Sequence, residues 1–248
     1  MTEERSRPRR FFGHPLTHLF AALLVLGLTQ TFIVKMFMVP SESMEQTLEI
    51  GDRLLVNRLA YALPGNDGVP ETGDIVVFQT DDELWPKAAD PDAGTAIGTI
   101  KHGVKWVFGD LIGIGPTTSD LLVKRVIGTP GQSVRCCSPS GELLVDGEPL
   151  AEPYIFEDLP FDPGSLDCDS TPRSARCFPE ATVPEGMLLV LGDHRSASND
   201  GVAQCRGVDE QSSDGQSSET CVRWVRAEDV WGEVAAVIWP VSRWGGVR

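Results

Sequence analysis

The six cysteines include no Cys-x-x-Cys pair, and no Gly-x-Ser-x-Gly elbow occurs anywhere in the chain. The first absence argues against zinc or thioredoxin-type chemistry. The second argues against an α/β-hydrolase nucleophile. Histidine is scarce, with only His14, His18, His102 and His194. His194 stands beside Asp193, but adjacent residues of extended chain point apart, so a His-dependent triad is not expected. Basic residues are few: 21 Lys and Arg face 36 Asp and Glu, a formal net charge of −15. So acidic a chain lacks the basic face that a general nucleic-acid binder needs. There is no internal repeat. What the chain does have is apolar material: 41% hydrophobic residues, with six Trp and ten Phe, can fill a core and exclude global disorder. Gly (25) and Pro (18) favour many turns and a β-rich body over a helical bundle.

Long hydrophobic runs are limited to one. From Pro15 to Val34 no residue is Asp, Glu, Lys or Arg. About 20 mostly apolar residues suffice to cross a bilayer core. Arg5, Arg7, Arg9 and Arg10 precede the run and Lys35 follows it, which places the N-terminus in the cytoplasm and the rest outside. A cleaved secretory leader would have a shorter run ending in an Ala-x-Ala-like site. Here the run ends in Phe37-Met38-Val39-Pro40. The expected organisation is a basic cytoplasmic tail over 1–14, one transmembrane anchor over 15–36, and an extracytoplasmic domain over 37–248. Val234–Trp239 is too short for a second span, and Pro240 ends it.

All six cysteines fall in the part expected outside, where disulfides persist. Cys168 with Cys177 is the preferred pair, because a short loop closes at low entropic cost. Cys205 with Cys221 would tie the base of a polar loop. The adjacent Cys136 and Cys137 could join only with strain, and their state is left open. Short β-type runs alternate with turns: Arg53–Val56, Asp74–Phe78, Leu121–Ile127, Leu143–Val145 followed by the hairpin signal Asp146-Gly147, Met187–Leu191 and Val230–Trp239. These predict a mixed, mainly antiparallel β-domain. Two insertions interrupt it. The one over 80–120 holds Trp106, Phe108 and Ile112, as a core segment or an apolar patch against the membrane. The one over 207–220 is a polar surface loop.

Three segments carry side chains suited to chemistry. Pro40–Leu48 reads PSESMEQTL, just past the apolar run. Two serines spaced by one residue can face one site, although serine pairs in loops are usually structural. Leu121–Gly128 reads LLVKRVIG, with Lys124 breaking an apolar strand. Such a lysine either faces solvent at an edge or is desolvated, with a depressed pKa that lets it act as a base. Gly192–Asp200 reads GDHRSASND, a polar loop leaving a buried strand, and is either a capped turn or a functional loop.

Taken together, these segments resemble the bacterial type I signal peptidases, the membrane-anchored Ser/Lys proteases. PSESMEQTL is similar to that family's PSxSMxPTL box. Gly73–Phe78 reads GDIVVF, as a second box does. KRVIGTPGQ from Lys124 is similar to KRVIGLPGD, and GDHRSASNDGV from Gly192 to GDNRDNSxDSR. The boxes come in the family's order across residues 16–240, and DGEPLAEPY from Asp146 resembles a family hairpin. The resemblance implies a signal-peptidase-like antiparallel β-domain. It implies Ser43 as nucleophile, Lys124 as general base, and an oxyanion hole from Ser41 and the Ser43 backbone N–H. It also implies that Ser198 orients the base, that Asp193, Arg125 and Asp200 give structural support, and that Met38, Val39, Ile75 and Val77 line the substrate pocket. The partners implied are the signal peptides of preproteins and the lipid bilayer, with no metal, cofactor or nucleic acid. Four departures stand out. Gln46 replaces the usual Pro, His194 replaces Asn, Ser196-Ala197 replaces Asp-Asn, and Gly201-Val202 replaces Ser-Arg, removing the arginine partner expected for Asp200. Rival readings are a pseudoenzyme or dedicated processor, a non-enzymatic envelope protein using the 80–120 insertion, and a self-cleaving repressor-type Ser/Lys protease. The lack of a DNA-binding region argues against the last.

Overall fold

A computed structural model describes residues 15–62, 68–80, 85, 121–207 and 221–247. The basic tail, nearly all of the 80–120 insertion with its apolar stretch, and the 208–220 loop lie outside the described residues.

Helix α1 covers Pro15–Phe32, and strand β1 follows at once over Val34–Met38. The anchor expected over 15–36 is therefore cut short. Val34, Lys35 and Met36 pair in register with Asn57, Val56 and Leu55 of β2 (Arg53–Asn57) instead of continuing the helix. An 18-residue helix is about 27 Å long, just under a typical hydrocarbon core. Among the described residues no helix is long and apolar enough to cross a membrane. α1 nevertheless leaves Leu16, Leu19, Phe20, Leu23, Leu24 and Val25 exposed.

The remaining described chain is mainly antiparallel β-structure, as expected. The chain runs on through β3 (Ile75–Gln79), β4 (Leu121–Gly128), β5 (Ser133–Cys136), β6 (Leu143–Val145), β7 (Glu148–Pro149), β8 (Phe178–Thr182), β9 (Met187–Leu191), β10 (Val225–Arg226), β11 (Val230–Trp239) and β12 (Gly245–Gly246). The large sheet has the order β1-β2-β11-β3-β4-β9-β10, with β12 on β11; the small one runs β7-β6-β5-β8. Asp146 and Gly147 both take positive φ (52° and 83°) in the β6–β7 turn, the geometry that favours an Asp-Gly pair.

Alternation along the inner strands separates two apolar faces. Ile75 and Val77 join Phe37, Val39, Met44 and Val123 in one cluster. Val76 and Phe78 join Trp85, Val126 and Val190 in another. A third cluster contains Ile127, Val134, Leu143, Phe178 and Leu191. Cys168–Cys177 and Cys205–Cys221 are bonded as expected. Cys136 and Cys137, left open by the sequence, are bonded to each other.

Candidate active site

Residues 39–52 form a loop closed on itself between β1 and β2. Val39 N–H donates to Asp52 O and Gly51 N–H to Val39 O, both at 2.9 Å. Inside it, Glu42–Met44 make a single 3-10 turn. Met44 and Leu48 are buried in the core below, which fixes the turn and holds the adjacent Ser43 in a buried position. Ser41 Oγ lies 3.4 Å from Ser43 Oγ, so its hydroxyl points into the same space.

Strand β4 brings Lys124 to this point. Lys124 pairs with Val76 of β3 in the sheet interior and is only 3% exposed. Its amine is hydrogen-bonded to Ser43 Oγ. Burial pushes the amine from its ordinary 10.5 down to about 8; Asp200 and Asp193 pull it up, and Arg223 pushes it down with burial. A lysine held near neutrality against a serine hydroxyl can take that hydroxyl's proton. The sequence alternatives for Lys124 are thereby resolved, since it is interior and not at a solvated edge.

The loop after β9 closes the site. His194 N–H donates to Ser43 O at 3.2 Å. Gly192 lies so close to Ser43 that a Cβ there would stand 2.3 Å from Ser198 Oγ and 2.4 Å from Ser43 O. Ser198 Oγ is buried beside it and makes no hydrogen bond within the described residues. Asp193 is fully buried. It accepts from Arg125 Nε (2.9 Å) and Nη2 (2.6 Å), and from Thr47 Oγ1 (2.6 Å). Arg125 Nη1 donates to Gly73 O at 2.8 Å, and its guanidinium lies 3.8 Å from the Tyr154 ring centroid. Asp193 thus ties the nucleophile loop, β4 and the β9 loop together. Thr47 was missed as a site residue, although it sits in the PSESMEQTL segment.

The His194 ring lies between carboxylates, 3.2 Å from Glu45 and 3.4 Å from Glu157, edge-on to Phe156. Val39, Ile75 and Val77 are buried in one apolar cluster; Met38 is half-buried and does not belong to it, because alternation along β1 turns it away from the face of Phe37 and Val39. Gln46 has φ of +73°, which a proline ring fixed near −65° could not adopt. A proline is therefore incompatible with this position as the loop is folded here.

The loss of an arginine partner for Asp200 is corrected by the structure. Arg206 Nη2 reaches both carboxylate oxygens, at 3.0 and 3.2 Å. Arg223 Nη2 donates to Asp200 O and Asn199 Oδ1, both at 2.5 Å. The nearby cysteines are the only sequence signal that could have pointed to these arginines.

A family model for signal peptidase, peptidase S26, matches residues 14–239. The chain belongs to this family. The signal peptidase I of Mycobacterium tuberculosis (strain CDC 1551 / Oshkosh) is 35% identical over 92% of this chain and 74% of that protein. A probable signal peptidase I of Mycobacterium leprae is 33% identical over 91% and 76%. The signal peptidase I of Leptolyngbya laminosa is 28% identical over 91% and 78%. A solved signal peptidase I from Enterococcus faecalis V583 superposes weakly, with a TM-score of 0.32 at 18% identity over 66% of this chain and 96% of that one. In this S26 chain the four boxes read from the sequence converge on one place: Ser43, Lys124, the Arg125–Gly73 contact and the Gly192–Asp200 loop.

Proposed function

We propose that this S26 peptidase is a serine endopeptidase that removes signal peptides from exported preproteins, cutting after small residues. The observation that carries the reading is the buried Lys124 amine on Ser43 Oγ. The neutral amine takes the Ser43 proton as Oγ attacks the scissile carbonyl. The oxyanion accepts from the Ser43 N–H and the Ser41 hydroxyl. The amine, now protonated, passes its proton to the leaving nitrogen, and the C–N bond breaks to leave an acyl group on Ser43. Lys124 then activates a water that releases the signal peptide. Ser198, with its buried and unpartnered Oγ beside Gly192, orients the amine during these transfers. Val39, Ile75 and Val77 form the floor of the subsites that select small side chains.

The same reading includes a lipid bilayer of the cell membrane. The apolar residues that α1 leaves exposed, with Arg5, Arg7, Arg9 and Arg10 before them, support a single anchor with its N-terminus in the cytoplasm and the catalytic domain outside. Confinement to one surface raises the effective concentration of enzyme and tethered substrate.

The test is cleavage of a preprotein bearing an Ala-x-Ala site by the purified full chain in detergent, with the new N-terminus read by mass spectrometry. A single cut directly after the second Ala is expected. Folded protein that leaves several preproteins intact, or cuts elsewhere, would overturn the assignment.

A further inference from the structure

Asp200 is fully buried, and its carboxylate does backbone work. It accepts from the Gly192 N–H at 3.4 Å and the Val202 N–H at 3.3 Å. Gly192 is the residue pressed against Ser43 O. The carboxylate therefore joins the two ends of the loop that carries Asp193, His194 and Ser198 and leans on the nucleophile. An unpaired carboxylate at such depth is costly. Its charge is met by Arg206, itself only 12% exposed, from outside the loop. Arg206 follows Cys205, whose disulfide to Cys221 brings the chain back two residues before Arg223. Arg223 N–H donates to Gly201 O at 2.7 Å, and its guanidinium lies 4.6 Å from the Trp85 ring centroid. The disulfide thus holds close together two arginines, Arg206 just after Cys205 and Arg223 two residues past Cys221, that both grip residues 199–201.

We infer that Arg206 is a positioning residue of this active site, the counter-ion that holds Asp200 and, through it, the 192–200 loop against Ser43. The inference rests on the Ser43–Lys124 reading above. It goes beyond that reading by assigning a role to a residue that lies outside all four boxes.

The consequence for the base follows from the groups that face Lys124. These are Ser43 from the nucleophile turn, Asp193 and Asp200 from the loop after β9, and Arg223 from the segment before β10. Asp200 pulls the amine's pKa up. In this proposal Arg206, paired with Asp200 at 3.0 Å, offsets part of that pull through the carboxylate it meets. Without it, the amine holds its proton to higher pH, and catalysis needs more alkaline conditions.

The experiment is a double-mutant cycle on the full chain in detergent, reading the acid limb of kcat/KM for preprotein cleavage. Arg206→Met should move the limb up by about 0.5–1 pH unit. Asp200→Asn should move it down, and the double variant should return it close to wild type. Arg206→Lys, which keeps the charge, should stay near wild type. If Arg206→Met does not fold, Asp200→Asn and the double variant still decide the matter, because neither buries an unpaired carboxylate. A limb that stays in place in Arg206→Met and Asp200→Asn, with only KM or melting temperature altered, would overturn the inference. That outcome is distinct from failure of the Ser/Lys reading, in which cleavage by wild type would survive loss of Ser43 or Lys124.

Discussion

Lys124 can accept a proton only while its amine is neutral, and burial brings that state within reach of neutral pH by lowering the pKa to about 8. The sign is fixed: below that value the amine is charged and cannot act as base. kcat/KM should therefore fall about tenfold per pH unit on the acid side, with its half-rise near pH 8. A pH–rate profile on preprotein cleavage checks this, and an acid limb well below that range would mean another base. Gly192 makes an equally local demand. Any Cβ there meets Ser198 and the Ser43 carbonyl at distances real side chains do not tolerate. Gly192→Ala should cost about 10²-fold or more in kcat, the scale of a roughly 1 Å misplacement of reacting groups. Its circular dichroism should stay native; near-wild-type turnover would show that the loop can retreat from Ser43 at no cost. Ser43 and Lys124, the proposed nucleophile and base, were legible as neighbours because their boxes are short and contiguous. Arg206 was not, because a counter-ion is chosen by three-dimensional proximity and any of several arginines could have reached Asp200.

At the scale of elements, the strands that carry the site were readable from apolar runs bounded by turns. β6, β9 and β11 match the expected limits, and β2, β3 and β4 differ by a residue or two. β1 was hidden for a physical reason: Val34–Met38 is apolar except for Lys35 and continues the hydrophobic run of α1, so periodicity cannot separate strand from helix there. β5 and β8 are short and broken by Arg135, Pro179 and Glu180, which masks their alternation. Trp85 was overlooked inside an acidic, Pro-rich stretch, yet it is buried, tilted against Phe78, and donates from Nε1 to Trp224 O at 3.0 Å. The Cys205–Cys221 bridge spans 16 residues. Closing a loop of that size contributes about 3 kcal/mol by restricting the unfolded chain. The double variant Cys205→Ser/Cys221→Ser should lose roughly that amount in denaturant unfolding. An unchanged midpoint would mean that Arg206 and Arg223 hold this region without the bridge.

At the scale of the whole molecule, the sheet brings three distant segments to one point. The turn after β1 supplies Ser43, β4 in the sheet interior supplies Lys124, and the loop after β9 presses Gly192 and His194 onto the Ser43 carbonyl. Asp193 links all three through Arg125 and Thr47, which makes the site a property of the fold and not of any single segment. Acidity across the chain plays no part in this chemistry; the few cations that matter are buried and individually paired. The central claim is that Ser43 and Lys124 together perform the cleavage. It is tested most directly by following one Ala-x-Ala preprotein with the full chain in detergent, beside Ser43→Ala and Lys124→Ala. Cleavage by wild type with both variants about 10²–10⁴-fold slower or silent is the predicted result. Cleavage that survives Lys124→Ala at near-wild-type rate would contradict the account.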